Sequence, residues 1–210
     1  MKGFGFHSVS LCQRCNHKLE MCIDSQSEPL SSAEMRLKME FLNIVKSRYS
    51  VRSYVDKKVE KDKLDKILEA AHVAPTAANL QPVHLLVVQE KKGLDKIGKA
   101  ANIYNAPLAI IICSDHLKAW KRPFDGKQTI DIDASIVTDH MMLEATELGL
   151  GTVWICYFKP DVIRKEFALP DNLEPINILA AGYSDEQPAS PERHLNQRIP
   201  LNDLVSYEKL

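Results

Sequence analysis

The sequence predicts a mixed α and β fold built around one hydrophobic core, and three observations carry that reading. Four short apolar runs, at residues 83–89 (VHLLVVQ), 108–113 (LAIIIC), 152–157 (TVWICY) and 176–181 (INILAA), have the length and composition of strands. Stretches of helical period alternate with them. The chain has 210 residues, 45% hydrophobic and 26% charged, so a single core of this size needs neither disulfides nor a structural metal.

Residues 1–38 differ from the rest. They mix polar residues with three cysteines and a serine-rich patch, and sustain neither period, so they read as a flexible extension ahead of a folded unit at 39–210. The spacing of Cys12, Cys15, His17 and Cys22 is compatible with a zinc site, but a tail with incidental thiols explains it as well and is the reading preferred. Met39 is a candidate start of the folded unit.

From Glu40 onward the pattern tightens. Phe41, Leu42, Ile44 and Val45 predict a short amphipathic helix ending near Ser47, before the segment Arg48-Tyr49-Ser50-Val51-Arg52. Leu64, Ile67, Leu68 and Ala71 fall at i, i+3, i+4 and i+7, the mark of a surface helix with one buried face, which Pro75 stops. The runs at 83–89 and 108–113 read as buried strands joined by a helical linker. Residues 115–130, interrupted by Pro123 and Gly126, predict a long excursion. Residues 131–148 give the strongest helix, apolar on more than one face and capped by Gly149. Two more strands follow, separated by a short helix near 160–168, and the tail at 185–200 reads as extended.

Net charge is −1, which lacks the broad basic field of a nucleic-acid binder, so an anionic partner must be small and locally held. No apolar run reaches the ~18 residues of a membrane span, and the first residues lack a signal peptide's apolar stretch. Five scattered cysteines argue for a reducing compartment, with the cytoplasm as the expected address. No G-x-G-x-x-G, Walker A, H-E-x-x-H or G-x-S-x-G motif is present, which argues against Rossmann, P-loop, zincin and serine-hydrolase chemistry. The seven histidines are too dispersed to suggest a metal site, and none is expected.

Arg48 and Arg52 flank Tyr49 and Ser50, and guanidinium forks around a hydroxyl can hold several oxygens of one phosphate. A solvated charged face would have the same spacing, so the pair alone does not choose. Further context comes from residues 74–82 (APTAANLQP) directly before an apolar strand, residues 149–154 (GLGTVW), and Arg198-Ile199-Pro200-Leu201 near the end. With the Arg48–Arg52 segment, in that order and over about residues 40–207, the chain resembles the FMN-dependent nitroreductase family.

The resemblance implies an α+β fold with a mixed, mainly antiparallel central sheet flanked by helices, in an intertwined homodimer with FMN at its interface. It assigns the FMN phosphate and ribityl chain to Arg48, Tyr49, Ser50 and Arg52, with Arg198 completing the phosphate site. Pro75, Thr76, Ala77, Asn79 and Gln81 match a loop that contributes to the flavin site across the interface, where amides offer both donors and acceptors. Residues Trp154, Ile155, Cys156 and Tyr157 match a strand whose main-chain N–H groups run along the flavin, one toward N5. Cys156 is used there through its main chain, and Trp154 packs as core. Two departures stand out: Ala77-Ala78 replaces small hydroxyl residues, and Asn196-Gln197 precedes Arg198 where another basic residue can stand.

By the same resemblance, NADH or NADPH delivers hydride to FMN and leaves, and a small organic acceptor such as a nitroaromatic or quinone takes its place, a ping-pong scheme. No catalytic acid or base side chain is then required. Trp120 and Phe124, in the long 115–130 excursion, are candidates for a substrate lid, with a dimer-wrapping loop as the alternative. Two rivals remain at this level: a flavin-binding carrier or sensor without turnover, and a cofactor-free scaffold in which the arginines are surface charges.

Overall fold

The computed structural model describes residues 40–210, so the expectations for residues 1–38, including the zinc-like cysteine spacing and the start at Met39, lie outside the described residues. Its centre is a four-stranded antiparallel sheet of order β1-β2-β4-β3, formed by β1 (Val83–Val88), β2 (Leu108–Asp115), β3 (Gly151–Ile155) and β4 (Leu173–Gly182). Helices α2 (Lys61–Val73), α3 (Lys91–Gly98), α4 (Ile130–Glu147) and α5 (Pro160–Phe167) flank it, α1 (Phe41–Ser47) packs on α4, and the short helices α6 (Arg193–Gln197) and α7 (Leu201–Leu204) follow β4.

Every residue of β2 is buried, because β2 is an inner strand with helices on both faces. Its period of two divides the core. Ala109, Ile111 and Cys113 join Ile97, Ile163, Val153, Ile178 and Ala180 on one face. Leu108, Ile110 and Ile112 join Ile67, Val137, Met141, Leu179 and Ala181 on the other. The second face carries α2 and α4, which pack on each other and on the sheet, and the small buried Ala134, Val137 and Ala145 of α4 let the helix sit close.

One pairing is irregular. Ile112 faces Asn177 while its neighbour Cys113 faces Pro175, so β4 bulges at Ile176. Pro175 has no N–H for a regular ladder bond, and a bulge accommodates it.

The predicted elements appear in the predicted order, with three corrections. The run at 83–89 is an edge strand with an exposed His84 and half-buried neighbours, since nothing in the described residues pairs with its outer side. The strand expected over 152–157 ends at Ile155; the Phe158 N–H turns back onto the Cys156 carbonyl at 3.2 Å and Pro160 opens α5. The tail at 185–200 is not wholly extended, because α6 forms where Arg193 and His194 find partners near α1. Gly149 does end α4: its φ of +75° suits glycine, and the Leu150 N–H returns to the Ala145 carbonyl at 2.8 Å.

Candidate cofactor site

The segment at 48–52 is laid along the outer edge of β3. Ser50 and Thr152 form a parallel bridge, and the Val51 N–H donates to the Thr152 carbonyl at 2.9 Å. The fit depends on Gly151: a Cβ there would stand 2.5 Å from Val51 Cγ2, and Val51 is fully buried. Tyr54 closes the turn beneath, its hydroxyl donating to the Val51 carbonyl at 3.1 Å.

This anchoring places Arg48, Tyr49 and Ser50 on a cavity of about 210 Å³ whose other walls are Arg193, His194, Gln197 and Arg198 of the distant α6 region. Arg48, Arg198 and His194 also line an adjoining cavity of about 590 Å³ beside Phe41, Asp139 and Met142. Among the described residues, none of Arg48, Arg193 and Arg198 makes an ion pair with a carboxylate. Burial, then the nearby Arg193 and Arg198 charges, push the Arg48 pKa below the ordinary arginine value, with Asp139 opposing. Three arginines lining one cavity, of which Arg193 turns its guanidinium to main-chain carbonyls, leave a net positive charge that suits an anion rich in oxygens, and a phosphate dianion fits this set.

Arg52 stands apart. Its main-chain N–H binds Glu186 Oε1 at 3.0 Å, and among the described residues its exposed guanidinium reaches only the Ser50 carbonyl, at 3.4 Å. It does not line the cavity that holds Arg48.

The loop after Pro75 is a single 3₁₀ turn (Ala77–Asn79) with unusual backbone. Ala78, Asn79 and Gln81 have φ of 50°, 54° and 51°, the left-handed region where a side chain costs roughly 1–2 kcal/mol per residue. The turn is held by Thr76, whose hydroxyl oxygen accepts the Gln81 N–H at 3.0 Å, and by the buried Asp133 of α4, whose Oδ1 accepts the Ala77 N–H at 2.9 Å. Asp133 Oδ2 accepts the Thr129 hydroxyl at 2.9 Å. The Asn79 and Gln81 side chains are exposed, and Thr76 and Gln81 line a different cavity from the arginines. Within one chain the turn and the arginine group therefore do not meet in one pocket.

Trp154 is half-buried against the α2–α4 face of the core, as the core reading expects, while Cys156 and Tyr157 are exposed just beyond β3. In the 115–130 excursion, Lys121 bridges to Gln128 and Arg122 forks onto Asp125, with Nε to Oδ1 at 2.7 Å. Phe124 projects at its tip, 93% exposed, and Trp120 is half-buried. A larger cavity, about 760 Å³, lies elsewhere, between Lys58, Asp95 and Tyr104, with mixed charge and none of the expected site residues. Among the described residues, no helix is long and apolar enough to cross a membrane, and no cluster of three or more His, Cys, Asp or Glu could hold a metal ion.

Sequence reasoning missed Arg193, His194 and Gln197. No local motif marks them, since their relation to Arg48 arises only when chain segments some 145 residues apart are brought together.

An arginine-lined cavity thus lies at the edge of an antiparallel sheet that carries helices on both faces, and comparison with known proteins identifies the class. The nitroreductase family model matches residues 45–103 and 98–183. A solved nitroreductase family protein from Clostridium difficile 630 is 63% identical and covers 82% of this chain and 100% of its own, with a TM-score of 0.81. An FMN-dependent nitroreductase from Clostridium difficile R20291 is 31% identical over 80% of this chain and 99% of its own, with a TM-score of 0.66. An FMN reductase (NAD(P)H) from Bacillus subtilis strain 168 is 31% identical over 184 residues, 75% of this chain and 74% of that protein. The chain belongs to the nitroreductase family, and it is an oxidoreductase of that family.

Proposed function

We propose that the protein is an NAD(P)H-dependent FMN oxidoreductase acting on a small organic acceptor, such as a nitroaromatic or a quinone, by a ping-pong scheme. The observation that carries this is the convergence of Arg48, Arg193 and Arg198 on one cavity without a carboxylate partner, beside the edge of β3. FMN, when bound, supplies the acceptance of hydride from the nicotinamide and its transfer to the acceptor. The chain's own residues bind and orient.

Arg48, Ser50 and Arg198 hold the phosphate, with Tyr49 beside them; Arg52, lying outside that cavity, is left for the ribityl chain or the ring. The exposed main chain of Cys156 and Tyr157, following Trp154 and Ile155, offers N–H donors to the ring. Such donors are preorganised and need no side-chain ordering. The working unit is a homodimer in which the turn formed by Pro75, Thr76, Ala77, Asn79 and Gln81 reaches the cofactor held by the other subunit. This explains why the strained turn, rigidly braced by Asp133, presents its amide side chains outward. Exposed Phe41, Leu42, Ile132, Leu201 and Leu204 add apolar surface of the kind an interface covers. Trp120 and Phe124 stand as the lid of the acceptor pocket.

The test is the absorbance spectrum of the purified protein, followed by NADH and NADPH oxidation with menadione or a nitrofuran as acceptor. Bound flavin and acceptor-dependent oxidation are expected. Flavin that neither nicotinamide reduces would point to a carrier or sensor, and colourless protein that FMN does not reconstitute would overturn the cofactor assignment.

A further inference from the structure

Helix α1 ends in a way that leaves two carbonyls open. The Ile44 carbonyl is taken by the Arg48 N–H at 3.0 Å and by the Ser47 hydroxyl at 3.0 Å. Among the described residues the carbonyls of Lys46 and Arg48 have no main-chain donor, and Arg193 serves both: Nη1 donates to the Lys46 oxygen at 3.2 Å and Nη2 to the Arg48 oxygen. The same Nη1 also reaches the Ser190 oxygen at 2.8 Å, and His194 Nε2 lies 3.2 Å from the Lys46 oxygen. One planar fork thus fastens the residue at the head of the arginine segment to the α6 region. A cation at the C-terminus of α1 is also favourably placed for the last open carbonyls.

We propose that Arg193 is a positioning residue for the phosphate cradle: by clamping the Arg48 main chain and adding its own charge to the cavity, it sets the preference for a phosphorylated flavin over an unphosphorylated one. This rests on the FMN reading above. Two features support it. Immobilising the Arg48 backbone reduces the ordering cost of bringing its guanidinium to the ligand. The repulsion that Arg193 and Arg198 exert on Arg48, offset in part by Asp139, is relieved by a dianion and not by a neutral flavin, so Arg193 acts on FMN selectively even without touching it. Lysine carries a compact charge without the fork, so it restores the electrostatic part alone.

The experiment measures binding of FMN and of riboflavin, by fluorescence quenching, to the flavin-free full-length protein and its Arg193→Gln and Arg193→Lys variants. Arg193→Gln is expected to weaken FMN by about tenfold or more, because the Arg48 main chain is unclamped and one positive charge is removed from the cavity, while riboflavin changes by less than about twofold. Arg193→Lys should fall between. Equal weakening of both ligands, the result of a merely structural role, overturns the inference, as does unchanged FMN affinity in both variants. Should thermal melting show that Arg193→Gln does not fold, Arg193→Lys decides alone: a larger loss for FMN than for riboflavin supports the role, and equal losses overturn it. Wild-type protein that does not bind FMN overturns the cofactor reading and this inference together, whereas intact wild-type binding with insensitive variants overturns the Arg193 role only.

Discussion

Asp133 of α4 holds Ala77 in place: its buried carboxylate accepts the Ala77 N–H at 2.9 Å through Oδ1 and the Thr129 hydroxyl at 2.9 Å through Oδ2. One side chain therefore braces the left-handed turn and closes the start of α4. Asp133→Ala leaves the Ala77 N–H without its acceptor and the Thr129 hydroxyl with only the Trp120 carbonyl, at 3.3 Å, and should cost about 2 kcal/mol in urea unfolding. Asp133→Asn keeps one acceptor oxygen and should cost about half as much. Equal losses would mean that the brace is not made by hydrogen bonds.

A second prediction concerns the contact of Gly151 with Val51. Gly151→Ala drives a methyl group to 2.5 Å from Val51 Cγ2 and should destabilise the fold by roughly 1–3 kcal/mol, besides pushing the arginine segment off β3. Val51→Ala creates a cavity of its own. The double variant should nonetheless be less destabilised than the sum of the two singles, by about 1 kcal/mol, because the removed methyl groups make room for the added one. Strict additivity in denaturant titrations would refute the steric argument.

Arg48 and Arg52 should contribute unequally to cofactor retention. Arg48→Ala together with Arg52→Ala is expected to lose FMN on dilution, each charge-assisted bond being worth ~1.5–3 kcal/mol. Of the single variants, Arg48→Ala should account for most of the loss, since Arg48 lines the cavity and Arg52 does not. Flavin absorbance after gel filtration reads this directly, and stoichiometric flavin in the double variant would remove the clamp.

An exposed network predicts a pH dependence. Glu60 is pulled down to about 2 by the Tyr183 hydroxyl, which donates to its Oε2 at 2.6 Å, with its own backbone N–H and then Lys57 assisting. A carboxylate with a depressed folded-state pKa contributes stability above its unfolded value of 4.5 and loses it as pH falls toward about 2. Tyr183→Phe removes the largest cause. The stability difference between wild type and Tyr183→Phe should accordingly shrink as pH is lowered from above 4.5 toward 2, and a gap independent of pH in thermal melts would contradict the linkage.

Legibility from sequence varied with the range of the interaction. The Leu64, Ile67, Leu68 and Ala71 spacing identified α2 and its inward face, where Ile67 and Ala71 are buried. The apolar run after Pro107 identified β2, and Arg48, Tyr49, Ser50 and Arg198, named from motifs, line one cavity. The edge position of β1 was not legible, because an apolar run does not record how many strands will lie beside it. Nor was the third guanidinium of the cradle.

The order and kind of the elements, and the residue types available for holding an anion, were set within short windows of sequence, where hydrophobic period, proline and glycine act on neighbouring residues. Only the tertiary structure decided that Arg193 would reach the carbonyls of Lys46 and Arg48 while Arg52 stayed outside the cavity. Hydrogen bonds and charges act over a few ångströms of space, and the sheet order determines which distant residues come that close.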